Sequence, residues 1–205
     1  MDREEKNKRI REKGNATRER HADMLCRCYE VKVDSSKLSK KQKNDVNTLF
    51  REAKWLHNAY LADMGNVSWK NTSVSVKVGD VFEQRELTVI GSQIRQSVIN
   101  EVKNSLKSLS SSKKKGNKVG ALKFKPVCNS VELSQYHVTY DIDKERSMIR
   151  VQKIKKPFRV RGLDQIPENA EIANARFIRK ASGLYFHITC FLPKEDKTVP
   201  HKALA

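Results

Sequence analysis

The chain has 205 residues and carries 42 Lys and Arg against 24 Asp and Glu, a formal net charge of +18. It holds no apolar run of the roughly eighteen residues that a membrane-spanning helix needs, and its first twenty residues are too polar for a secretory leader. These features exclude a membrane-spanning helix and predict a cytoplasmic protein, of one domain or two small ones.

The first 22 residues hold one large apolar side chain after Met1, Ile10. Such a segment buries too little surface to fold alone, and it reads as a basic N-terminal arm that could turn helical on a partner. The stretch 23–36 contains an alternation, with Tyr29, Val31 and Val33 on one face and Glu30 and Lys32 on the other, which predicts a strand ended by Asp34-Ser35-Ser36. From Ser39 the period changes. Val46, Leu49, Phe50, Ala53, Leu56, Tyr60 and Leu61 follow helical spacing, with Ser39 as N-cap and Gly65-Asn66 as the stop. Residues 67–90 read as irregular or as short strands, with a turn at Gly79-Asp80. A second helix starts near Ser92 with an apolar stripe of Ile94, Val98, Val102, Leu106 and Leu109, and runs into an exposed loop at Ser110–Lys118. From 119 to 195 the segments are short and alternating: 122–125, 131–133, 137–142, 147–154, 158–160, then a hairpin from Ala175 to Leu192. The fold expected is α+β, a small antiparallel barrel interrupted between its first two strands by a helical insert at 37–118, with residues 196–205 as a tail.

Four cysteines are present. Cys26 and Cys28 have one residue between them, too few for a zinc knuckle, and the expected role is that of buried, reduced small hydrophobes. The five histidines do not pair with a cysteine or with each other at ligand spacing. No metal, cofactor or catalytic residue is expected.

The positive charge is concentrated. Lys103 to Lys125 holds eight lysines and no acid, and Lys144 to Arg161 holds eight Lys and Arg against the single Glu145. A solvated surface mixes both signs, whereas a concentrated basic field suits a polyanion whose counterions are released on binding. The candidate nucleic-acid contacts are Lys103, Lys107, Lys113, Lys114, Lys115, Lys118, Lys123 and Lys125 in the first block, with Lys155, Lys156, Arg159 and Arg161 in the second. Arg159 and Arg161 alternate with Phe158 and Val160, which sets both guanidiniums on one strand face for phosphate contact. Lys54, Trp55 and Arg95 join them from the helices. Phe124, between two lysines, is either a base-stacking ring or a core residue with outward lysines. Trp55 suits a groove or a core equally, while Tyr60 suits the core and His187 a paired position in the sheet.

Four stretches resemble a known family. Leu49–Asn58, Ile94–Val98, Val119–Pro126 followed by Asn129–Leu133, and Ala170–Ile178 followed by Gly183–Thr189 are similar, in order and spacing, to the N-terminal lobe of TnpB-type transposon-encoded RNA-guided nucleases and the type V CRISPR effectors. Ala121 and Leu122 stand where the family has a Pro-containing pair. The resemblance implies an oligonucleotide-binding-type barrel, the wedge domain, split by a helical recognition insert. It also implies that this lobe binds guide RNA, the guide–target heteroduplex and a short motif flanking the DNA target. The family's RuvC-like nuclease domain follows such a lobe, and its catalytic setting is absent here: Arg161-Gly162-Leu163-Asp164 imitates it briefly before Gln165-Ile166-Pro167 turns. The chain is therefore expected to be no enzyme, with guide RNA, target DNA and a RuvC-containing polypeptide as partners. The alternative from residues alone is an independent basic RNA-binding protein of regulatory or ribosomal type.

Overall fold

The computed structural model describes residues 2–194; the tail expected at 196–205 lies outside them. Helix α1 (Arg3–Ala22) leads into β1 (Met24–Val33), and α2 (Lys40–Ala62) follows. A hairpin of β2 (Ser73–Val78) and β3 (Val81–Glu86) precedes α3 (Ser92–Lys114). Then come β4 (Ser130–Leu133), β5 (Tyr140–Asp143), β6 (Met148–Val151), β7 (Phe158–Arg161), β8 (Glu171–Lys180) and β9 (Gly183–Pro193).

Seven strands form one antiparallel sheet in the order β4-β8-β9-β1-β7-β6-β5, curled into a nearly closed barrel. The fold is thus α+β, and α2, the β2–β3 hairpin and α3 are inserted between β1 and the next strand of the sheet, β4. Inside, Phe177 stacks on Phe186 at 4.4 Å and meets Phe158 at 5.4 Å. Phe50 of α2 stacks on Phe177 at 5.5 Å, so the insert and the barrel share one core. This apolar burial is the main force holding the two together.

Local sequence explains most boundaries. Ser39 caps α2 in a capping box, its hydroxyl accepting from Gln42 N–H while Gln42 Oε1 accepts from Ser39 N–H. Gly79 adopts φ +61° in the two-residue turn joining Val78 to Val81, a conformation that the turn requires and that glycine tolerates best.

Four expectations are corrected. The basic arm is a continuous helix, although no residue of it is buried. The helix expected to stop at Gly65-Asn66 ends at Ala62, where Asp63 takes the C-cap and accepts from Asn66 N–H. Ser110–Lys114 are helical rather than looped, because no glycine or proline intervenes before Gly116 and the lysines there complement the helix C-terminus. Residues 122–125 form no strand, since their backbone is held by a side chain of α2 instead of a sheet neighbour.

Candidate nucleic-acid interface

That side chain is Asn58. Its Oδ1 accepts from Lys125 N–H at 2.8 Å, and its Nδ2 donates to the Lys125 carbonyl at 2.9 Å. The paired bonds satisfy one residue of extended backbone as a strand partner would, and they hold the segment beside α2. With its backbone fixed, Phe124 points outward and is 61% exposed. The core reading of Phe124 is overturned: the alternation with Lys123 and Lys125 does not face a barrel interior.

Opposite Phe124 stands the β2–β3 hairpin. Lys77 and Phe82 are register partners and so share a face, and Phe82 is 71% exposed. Between the two segments runs a groove of about 350 Å³ lined by Lys54, Trp55, Asn58, Val76, Lys77, Phe82 and Phe124. Trp55 is half-buried and carries the Arg51 guanidinium 5.3 Å above its ring. Exposed rings beside lysine ammoniums are what an unstacked base with its phosphate requires.

A buried carboxylate holds the groove's far wall. Glu52, 1% exposed, accepts from the N–H groups of Thr88, Val89 and Ile90 at 2.8–2.9 Å and from the Thr88 hydroxyl at 2.8 Å. These bonds pin the chain that leaves β3 against α2. One turn on, His57 is buried with neither ring nitrogen hydrogen-bonded. Burial pushes its pKa down, and the nearby Lys125 ammonium pushes it the same way.

The other basic residues fall into distinct settings. Lys103, Lys107, Lys113, Lys114, Lys115, Lys118 and Lys123 are all exposed. Lys103 lies over the Tyr60 ring at 5.9 Å, and Tyr60 is in the core. Lys125 reaches Glu101 at 3.4 Å. Arg95 is drawn inward instead. It is 8% exposed on the apolar side of α3, and its Nε has no partner, because position 95 adjoins Ile94, Val98 and Ile99 on the packed face.

At the other end of α2, Gln42 Nε2 donates to the Pro157 carbonyl at 3.0 Å and ties the helix start to the 155–157 turn. Lys155, Lys156, Arg159 and Arg161 are exposed around it, and Arg159 and Arg161 do share the outer face of β7. Arg161 is already paired, donating to Asp34 at 3.1 Å. The Asp34 carboxyl is held below its ordinary range first by the Ser36 hydroxyl and then by Arg161. No exposed aromatic side chain lies beside this cluster in residues 153–161.

The structure therefore brings Lys54, Trp55 and Phe124 together, with Lys123 and Lys125 alongside, and sets the β7 group apart. Sequence reasoning missed Phe82 and Lys77, though the Gly79-Asp80 turn would have paired them once the hairpin register was drawn. It also missed Glu52, an acid at helical spacing from Leu49 and Leu56. His187, expected as a paired sheet histidine, meets Glu30 at 2.7 Å. Of the cysteines, Cys128 and Cys190 are buried as expected, while Cys26 and Cys28 are exposed. They lie on the outer face of β1, opposite Phe191 and Thr189 in register.

Among the described residues no cluster of His, Cys, Asp and Glu could hold a metal ion, and no helix is long and apolar enough to cross a membrane. No protein-family model matches the chain, and no curated protein is significantly similar to it.

Proposed function

We propose that the chain is the guide-RNA-binding lobe of an RNA-guided DNA-targeting system, built on an oligonucleotide-binding-type barrel and without nuclease activity of its own. It works with a separate RuvC-containing polypeptide or holds the guide as a regulator. The observation that carries the ligand class is the groove in which Phe82, Phe124 and Trp55 stand beside Lys54 and Lys77. Rings give sequence-tolerant stacking and ammoniums give phosphate contact, the two terms on which single-stranded nucleic acid is bound. The guide system and its target DNA are what the four resembling stretches between Leu49 and Thr189 imply. The basic outer face of β7 suits the backbone of a guide–target heteroduplex, which is read through phosphates and geometry.

The test is to purify the protein from its native host and sequence the RNA that accompanies it. One abundant species with a structured scaffold and a variable end is the expected result. A mixture of ribosomal and messenger fragments, lost at moderate salt, overturns the guide reading in favour of an independent basic RNA-binding protein.

A further inference from the structure

Helix α1 has no apolar face and no buried residue, yet it is continuous for 20 residues. Its last turn is anchored: His21 stacks on Phe191 with ring centroids 3.7 Å apart, and Arg20 and His21 both pair with Glu171. The rest projects with its side chains exposed. A helix polar all round needs another reason to exist than core packing.

Its charges are sorted. At about 100° per residue, the carboxylates Glu4, Glu5, Glu12 and Glu19 fall within a sector of roughly 100°, with Lys8 among them. The remaining sector carries Arg3, Lys6, Arg9, Arg11, Lys13, Arg18 and Arg20 and no carboxylate. Lys6, Arg9 and Lys13 follow one another at three- and four-residue spacing, which lines them up along one edge. Among the described residues none of these three is within ion-pair distance of an acid.

We propose that α1 is a second nucleic-acid surface, a rigid row of cations that lies along the phosphate backbone of a double-stranded segment. The inference rests on the nucleic-acid reading above and extends it to a surface distinct from the groove. Ile10 is the helix's single large apolar side chain. A membrane surface would need an apolar face, and a protein partner would need aromatic or aliphatic anchors. A single strand would need rings to stack on, and α1 has no Phe, Tyr or Trp. Phosphate contacts ask only for placed cations, and a duplex offers phosphates in a fixed array that a rigid helix can match.

The experiment compares the full chain with K6Q/R9Q/K13Q, and with E5Q/E12Q/E19Q in the adjoining acidic sector, by titration across a salt series. The probes are a 20-base-pair RNA duplex, a DNA duplex of the same length and a single strand. The expected result is that K6Q/R9Q/K13Q lowers the slope of log affinity against log salt by about 3 on duplex, near 0.9 for each phosphate left without its cation, and leaves single-strand binding unchanged. The RNA and DNA arms identify which duplex is preferred. An unchanged slope on both duplexes overturns the proposal, as does an equal loss on the single strand. A rise from E5Q/E12Q/E19Q as large as the loss from the cationic variant overturns it too, since the helix would then act through net charge alone. All six positions are exposed, and an unchanged Tm verifies that each variant is folded. Failure of the nucleic-acid reading has a different signature: the unmodified chain binds none of the three probes.

Discussion

The groove beside α2 and the outer face of β7 are both basic, and they differ in what stands next to the charge. In the groove the lysines flank Trp55, Phe82 and Phe124. On β7 the arginines have no exposed ring within reach in their own segment, and Arg161 already holds Asp34. A nucleic acid bound as proposed would gain stacking at the first site, which salt barely affects, and counterion release at the second, which salt weakens steeply. Equal charge in a sequence thus conceals two kinds of surface. On the proposed reading the first would distinguish unstacked bases from duplex, and the second would respond to phosphate wherever it lies.

The largest effect tests whether the groove depends on its buried support. Glu52→Ala strands the N–H groups of Thr88, Val89 and Ile90, at a cost of about 1–3 kcal/mol for each donor that water cannot reach. The expected loss is about 3 kcal/mol or more in denaturant unfolding, with groove binding impaired even in the fraction that stays folded. Next, Trp55→Ala with Phe124→Ala removes stacking worth about 1–3 kcal/mol per base, a loss of roughly 5- to 150-fold in single-strand affinity for each base left unstacked. The salt slope should stay as it was. A slope that falls instead would erase the distinction between the two surfaces.

Arg159→Ala with Arg161→Ala does the reverse. Affinity weakens and the slope falls by roughly 0.7–0.9 for each phosphate no longer neutralised, with Arg159→Ala alone giving more of the change because Arg161 must leave Asp34 to reach a phosphate. The smallest effect concerns His57. Its pKa is lowered in the folded chain by burial first and by Lys125 second, so the unfolded chain takes up its proton at higher pH. The stability from keeping this ring neutral is complete above an unfolded pKa of about 6.5 and is lost as pH falls through that value. A Tm that drops between pH 7 and pH 5, and drops less in His57→Leu, is the expected outcome; equal drops would assign the dependence elsewhere.

Periodicity made the elements legible. The alternation of Tyr29, Val31 and Val33, the stripe from Val46 to Leu61 and the cap at Ser39 each reflect which side chains can leave water together, and that is a local property. The 122–125 segment shows the limit. Its Lys-Phe-Lys alternation suits a strand, but the Asn58 side chain took the place of a neighbouring strand and turned Phe124 to solvent. Arg95 shows the same limit in the other direction, as a cation on a helix whose packed face was broader than its apolar stripe. Cys26 and Cys28 are a third case. That both thiols share a face follows from the strand, and that this face lies outside the barrel follows only from how the sheet curls.

By itself the sequence determined the concentration of positive charge, the helical and alternating segments, and the order in which an insert interrupts a β-structure, because charge and period are carried by residues near one another in the chain. Tertiary structure alone decided which basic residues face a ring, which hold a carboxylate and which sink into the core. Phe124 meets the hairpin of Phe82, and Arg161 meets Asp34, across separations of 42 and 127 residues. Contacts of that range are set by how the barrel closes and where the helices pack on it, and no local pattern encodes them.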